Sequence, residues 1–383
     1  MGKVVEISGV GLVNKGAALM LAEIALRLRD EYTSGVRIVC RPGRKSSYDT
    51  ALVVAQMGVL PLAEKSIKGF GLRRFLNYFP SKWFAPFGIS RSKDVDVMLD
   101  ASGLKYSDDF GVSAIEKGER VIRSKFDSGV RVVLMPQAFG PFNGVRSQGL
   151  MLNIIEMSEL IYARDECSYN HLRELSKSPK IRRCADLTIG CDCRGVSDSN
   201  LTEGVVLIVP NQRMCDKGGK ESRKAYLNFM LKLGKQLLEA GSRVQLLNHE
   251  GPADRELCEY LKSELNLETD ILDFSEPRLI KYHIGRSKAV ITSRFHGAVS
   301  ALSQSVPCFA TSWNHKYKML FRDFGCEENV LDVCVDEEIR RVVDLVTNED
   351  RLTSMSSILN AQKSVYLSQL DEMWNDVNSL IDG

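Results

Sequence analysis

Apolar residues in this chain come in short runs separated by polar or glycine-containing joints. Lys3–Ile7, Val36–Cys40, Val95–Leu99, Arg131–Met135 and Leu160–Ala163 are each four or five residues long and largely apolar. Runs of that length, bounded by turn residues, read as buried strands. The stretches between them carry helical periodicity, as in Ala17–Arg29. Strands alternating with helices predict a parallel sheet with short strand-to-helix loops at one edge. After the polar stretch Arg194–Asn200 the pattern starts again. Val205–Val209, Arg243–Leu247, Ile271–Phe274, Lys288–Thr292 and Val306–Ala310 read as strands. Helices are expected over about Ser222–Glu239, around Leu279–Ile284 and from about Asp350 to Leu380. The fold class expected is α/β, with two Rossmann-like doubly wound domains facing a cleft. The expected boundaries are 1–195, 201–345 and a helical tail over 346–383.

In sheets of this kind ligands bind outside the carboxyl ends of the strands. Asn14, Asp100, Gln137 and Arg164 all follow strands of the first half, and His249 and Glu250 follow a strand of the second. The joint Ser8–Gly16 is rich in glycine but is neither a dinucleotide fingerprint nor a P-loop. Gly11 and Gly16 have the P-loop gap, yet Ala17 stands where that motif needs lysine. The most informative joint is Ser293-Arg294-Phe295-His296-Gly297-Ala298, where the Lys288–Thr292 strand feeds a helix over Ala298–Leu302. A helix start gathers backbone N–H groups and the positive end of the helix dipole, which suits an anion. Arg294 adds a planar cationic fork for phosphate or carboxylate. His296 can carry a proton near neutral pH, and Gly297 lets a ligand approach the backbone. Taken alone, the same residues also fit an ordinary helix start with a surface arginine and a hydrogen-bonded histidine.

Composition narrows the partners. A net charge of +2 over 383 residues provides no bulk positive field for nucleic acid. The ten cysteines form no CxxC pair and no regular framework. Cys191 and Cys193 lack further ligands, and Cys167 with His171 is two ligands, too few for zinc. Free thiols in a reducing cytosol are therefore expected, with no metal. Met1–Ile7 reads as a strand and not as a signal peptide, and no apolar run reaches the ~20 residues that span a bilayer. Lys65–Lys93 departs from the pattern, with seven cations, seven aromatic rings and no acid. Such a mixture suits a membrane surface, a sugar platform or single-stranded nucleic acid. It also suits an inserted helix pair with its rings packed inward.

Six short motifs, in order along the chain, give a resemblance. They are Asn14-Lys15-Gly16-Ala17-Ala18-Leu19, Pro136-Gln137 with Gly140-Pro141, Ala163-Arg164-Asp165 with Ser168, Ala185-Asp186, Asn248-His249-Glu250, and Ser293–Ala298 followed by Pro307 and His315-Lys316. Together they resemble the polysaccharide pyruvyltransferases from about residue 5 to residue 325. Ala18 stands where that family usually has an acid, and Lys65–Lys93 is not part of the likeness. The resemblance implies a GT-B-like pair of domains. It implies transfer of the enolpyruvyl unit of phosphoenolpyruvate to a sugar, forming a pyruvate ketal across two hydroxyls, with no further cofactor. His296 is the implied general acid that protonates the donor. Arg294, Phe295, His296, Gly297, Arg164, His315 and Lys316 are the implied donor contacts. Asn14, Asp100, Gln137, His249 and Glu250 are expected in the cleft or against the acceptor, with His249 and Glu250 the candidates to take the hydroxyl proton. A lipid-linked acceptor would bring the enzyme to the inner face of the membrane, with Lys65–Lys93 as its contact. A nucleotide-sugar glycosyltransferase and a non-catalytic anion- or sugar-binding protein remain the alternatives.

Overall fold

The computed structural model describes residues 2–11, 14–33, 35–41, 55–63, 90–198, 203–216, 219–312 and 316–383. By residue contacts the chain divides into two compact units. The first contains Met1–Leu12, Ala17–Leu187 and Gln369–Gly383; the second contains Val13–Gly16 and Thr188–Ser368. Two helices therefore change unit along their length. Lys15–Glu31 begins in the second unit and continues in the first, while Glu349–Asp382 does the reverse.

The first unit is built on an eight-stranded sheet. Its strands are β1 (Lys3–Ser8), β2 (Val36–Cys40), β3 (Leu60–Ala63), β4 (Ser90–Arg91), β5 (Val97–Asp100), β6 (Arg131–Gln137), β7 (Leu160–Ala163) and β8 (Ile181–Arg183). Their spatial order is β4-β3-β2-β1-β5-β6-β7-β8 and every neighbouring pair is parallel. The chain runs outward from β1 to β4, then returns to place β5 on the other side of β1. That return makes the β1/β5 boundary the topological switch point, where ligands of doubly wound sheets collect. Val4, Met98, Leu134 and Ile161 of the strands pack with Ile115 and Ile122 of helix Val112–Phe126 and with Met151 and Ile154 of helix Val145–Met157. Glu6, in the middle of β1, is fully buried and paired with Lys125 Nζ (2.5 Å) and Arg41 Nε (2.8 Å), as a buried carboxylate requires.

The second unit repeats the plan with six parallel strands. They are β9 (Val205–Val209), β10 (Arg243–Asn248), β11 (Leu272–Asp273), β12 (Ala289–Thr292), β13 (Cys308–Thr311) and β14 (Val330–Leu331), in the order β11-β10-β9-β12-β13-β14. Here the switch point lies between β9 and β12. Val206, Ile208, Leu246, Ile291 and Phe309 form the sheet's share of the core. Phe229, Leu233 and Leu237 of helix Gly219–Glu239 and Leu257 and Leu261 of helix Gly251–Glu264 cover it.

All ten strands read from the sequence are present, several with unchanged bounds. β3, β4, β8 and β14 were not foreseen. Each has two to four residues and lies at or near a sheet edge, so neither length nor periodicity marks it. All ten cysteines are free thiols. No helix among the described residues is long and apolar enough to cross a membrane. Of Lys65–Lys93, only Ser90 onward falls within the described residues. There the expectation of a surface cation fails for Arg91, which is buried in β4 and bonded through Nε to Asp94 Oδ2 (3.0 Å).

Candidate active site

The second unit's switch point is built around Ser293, directly after β12. Its backbone N–H donates to the Val209 carbonyl (3.0 Å), and its own carbonyl accepts from Asn211 Nδ2 and from the Tyr317 hydroxyl, both at 2.8 Å. Its hydroxyl lies between Tyr226 Oη (2.8 Å) and Thr311 Oγ1 (2.6 Å). Burial pushes the titration of both tyrosines up, so each stays a protonated hydroxyl. Strands β9, β12 and β13 and two helices thus converge on one serine and fix the backbone that follows.

Arg294 is the next residue and the N-cap of helix Phe295–Leu302. Its backbone is extended, and its N–H donates to Thr292 Oγ1 (3.0 Å). Its guanidinium is held on two sides. Nε and one terminal nitrogen donate to the two oxygens of Asp254 at 2.7 and 2.5 Å, a bidentate pair with a fully buried carboxylate. The other terminal nitrogen pairs with Glu250. Asp254 also accepts from the Gln212 N–H (3.0 Å), and Glu250 accepts from Asn14 Nδ2 (2.8 Å). Burial pushes the Asp254 carboxyl up to about 7 and the Arg294 guanidinium down to about 10. Each is disfavoured as a lone charge, and pairing offsets that cost for both.

His296 follows on the first turn of the helix. Its imidazole packs against Gly16. A Cβ at Gly16 would lie 2.0 Å from His296 Nδ1 and 2.4 Å from Cε1 and Cγ, so no side chain fits there. On the same N-terminal segment, Lys15 Nζ donates to the Ser275 carbonyl (3.1 Å). Phe295 meets the imidazole edge-on, with centroids 5.5 Å apart, and Lys316 Nζ lies 4.7 Å from the centre of the Phe295 ring. Gly297 is equally tight, since a Cβ would come 2.7 Å from Thr292 Oγ1. His249 is buried beside this cluster. Desolvation, and then Arg294, His296 and Lys15, hold its pKa well below the ordinary histidine value, so it is neutral at pH 7.

Asn14, His249, Glu250, Arg294, Phe295, His296, Gly297 and Lys316 therefore belong to the second unit, around one strand-to-helix junction. His315 lies outside the described residues. Asp100, Gln137 and Arg164 end strands of the first unit and are tied up there. Asp100 accepts from the Ser102 N–H (3.0 Å) and the Tyr106 hydroxyl (2.7 Å), and Gln137 Nε2 donates to the Asp100 carbonyl (3.1 Å). Arg164 pairs with Asp186 (3.2 Å). The histidines read as structural have such contacts: His171 with the Phe139 carbonyl (3.0 Å), His283 with Asp198 (3.0 Å) and the Phe274 ring. Sequence reasoning missed Asp254, Tyr226, Thr311, Tyr317 and the packing role of Gly16. Only Asp254 had a signal, four residues beyond Glu250 in a helical pattern, and an acid in a first turn is ordinary dipole compensation.

A family model described as Polysaccharide pyruvyl transferase matches residues 14–315. The chain belongs to this family. The match starts at Asn14 and takes in both the Gly16 contact and the Arg294–His296 junction. A search of curated proteins found no match to this family member. Solved structures agree on the fold, which is two-domain and GT-B-like. The UDP-GlcNAc 2-epimerase from Neisseria meningitidis bound to UDP-GlcNAc superposes with a TM-score of 0.57 at 13% identity, covering 97% of this chain and 100% of that one. Anabaena Alr3699/HepE in complex with UDP and glucose gives 0.54 at 11% identity, covering 99% and 100%. Medicago truncatula UGT71G1 complexed with UDP-glucose gives 0.52 at 13% identity, covering 99% and 98%. At such identities the likeness speaks for the fold alone. As a member of a transferase family, the protein is a transferase.

Proposed function

We propose that this transferase moves the enolpyruvyl unit of phosphoenolpyruvate onto two hydroxyls of a polysaccharide sugar, or of its lipid-linked precursor, as a pyruvate ketal. The observation that carries the reading is the pairing of Arg294 and His296 two residues apart at a helix start on the β9/β12 switch point. The donor brings a phosphate and a carboxylate, and a guanidinium at a helix N-terminus suits either. His296 gives a proton to C3 of the donor, which leaves cationic character at C2. A sugar hydroxyl attacks C2 and loses its proton to a base. Phosphate then leaves with the C–O bonding pair, and the second hydroxyl closes the ketal, its proton restoring the one His296 gave to C3. His249 is neutral at pH 7 and so has a lone pair to accept a proton, although its depressed pKa makes it a weak base. Glu250 is the stronger candidate by charge. Lys316, over the Phe295 ring, adds a second cation for the donor.

The test is phosphate release from phosphoenolpyruvate in the presence of candidate acceptor sugars, free and polyprenyl-linked. Release dependent on acceptor supports the reading; no release with any acceptor sinks it. A second reading, transfer from a nucleotide sugar, is favoured by the UDP-sugar complexes among proteins of like fold. Thermal shift with phosphoenolpyruvate against a panel of nucleotide sugars separates the two. A silent anion- or sugar-binding protein would bind without turnover. For a lipid-linked acceptor, the cations other than the buried Arg91, together with the rings of Lys65–Lys93, give the protein a loose hold on an anionic membrane surface. Liposome co-sedimentation with Arg73, Arg74 and Lys82 changed to Glu tests this, and equal binding by both proteins refutes it.

A further inference from the structure

We infer that Glu250 is an internal stand-in for the substrate anion, seated on Arg294 until a ligand displaces it, and that Asp254 is the fixed anchor that keeps the guanidinium aimed. The inference rests on the anion-binding part of the reading above. The two carboxylates hold Arg294 differently. Asp254 is fully buried, contacts Arg294 through both oxygens and is itself fixed by the Gln212 N–H (3.0 Å). Glu250 contacts one terminal nitrogen, is about a fifth exposed in its side chain, and has its other oxygen on Asn14, an exposed residue. Between them the two carboxylates occupy all three nitrogens of the guanidinium that an anion would have to use. A phosphate or carboxylate can use Arg294 only by taking the place of one of them. The bidentate, desolvated Asp254 contact is the costlier to break, and the single, solvent-touched Glu250 contact is the cheaper. Glu250 also sits at the N-cap of helix Gly251–Glu264, so it can swing aside without disturbing a strand.

Removing the charge of Glu250 should therefore strengthen anion binding, the reverse of what a substrate-binding residue shows. The full chain is titrated calorimetrically with inorganic phosphate, pyrophosphate and phosphoenolpyruvate, as the native protein and as Glu250→Gln and Asp254→Asn. Glu250→Gln is expected to bind at least one of the three roughly three- to tenfold more tightly. Asp254→Asn is expected to bind it more weakly and, where turnover is measurable, to lose kcat more than KM. Melting without ligand checks that each variant is folded, and Glu250→Ala serves in place of Glu250→Gln if the latter is not. A folded Glu250 variant that binds none of the probes more tightly than the native chain overturns the inference. Tighter binding of phosphate or pyrophosphate with no binding of phosphoenolpyruvate upholds the inference while refuting the donor assignment.

Discussion

The two sheets present similar residue types at their carboxyl ends and use them in different ways. In the first unit, Asp100 is bonded to Ser102 and Tyr106, Gln137 to the Asp100 carbonyl, and Arg164 to Asp186. Each polar group is buried and its partner is buried or part of the same loop, so the rim is a closed hydrogen-bonded frame. In the second unit, the frame lies one layer lower, around Ser293. It supports side chains that remain partly accessible: Glu250, His296 and Lys316. Position at the carboxyl edge is thus common to both units. What separates them is whether the polar groups are consumed by the scaffold or held above it.

The sharpest way to break this comparison is His296→Ala. If the imidazole is the proton donor, acceptor-dependent phosphate release should fall by ~10²–10⁴-fold, with little change in donor affinity. Arg294→Ala should instead weaken donor binding, since a charge-assisted contact contributes roughly 1.5–3 kcal/mol. Native turnover in both variants would place the chemistry elsewhere. Gly16→Ala comes next. Alanine in a helix is favoured over glycine by about 1 kcal/mol, so propensity alone predicts no loss. The added Cβ would collide with the imidazole at 2.0 Å, and a catalytic group displaced by about 1 Å can cost ~10²-fold in rate. A full-rate Gly16→Ala enzyme would show that the position of His296 does not matter.

The same comparison explains what the sequence could show. Ten strands, all but the two-residue edge strand β11 at least four residues long, were legible because burial on both faces demands uninterrupted apolar runs, and the tail helix was legible too. The junction Ser293–Gly297 was legible because strand end, arginine, histidine and glycine stand within five residues. Asp254 and Gly16 were not, since their roles depend on contacts 40 and 280 residues away along the chain. The first-unit motifs were visible for a different reason. Asp165 caps helix Glu166–Leu175 and Ser168 Oγ accepts the Phe139 N–H at 3.0 Å, so that motif ties a helix start to the end of β6. A sequence pattern at a strand end does not distinguish such a tie from a ligand contact.

Tyr106→Phe probes the first-unit frame. It deletes the hydroxyl on Asp100 Oδ2 and leaves a buried carboxylate oxygen short of one donor, at a cost of about 1–3 kcal/mol. The melting temperature should drop while turnover per folded molecule stays native. Lost turnover at unchanged melting temperature would mean that this rim is a site after all.

The smallest expected effect concerns His249 and pH. Its folded pKa is held well below that of the unfolded chain, first by burial and then by Arg294, His296 and Lys15. The unfolded state therefore binds a proton that the native state refuses. Where that holds, stability rises with pH, so this contribution is complete above the unfolded value near 6.5 and is lost as pH falls below it. One extra proton on the unfolded chain corresponds to at most about 1.4 kcal/mol for each pH unit below 6.5. Urea unfolding of the native chain and of His249→Gln at pH 7.5, 6.5 and 5.5 isolates the term. The variant should lose less stability between pH 6.5 and 5.5, whatever its stability at pH 7.5. Parallel curves for the two proteins would mean that His249 takes up its proton in the folded state. The cluster around Arg294 would then tolerate a further positive charge, against the effect expected of Arg294, His296 and Lys15.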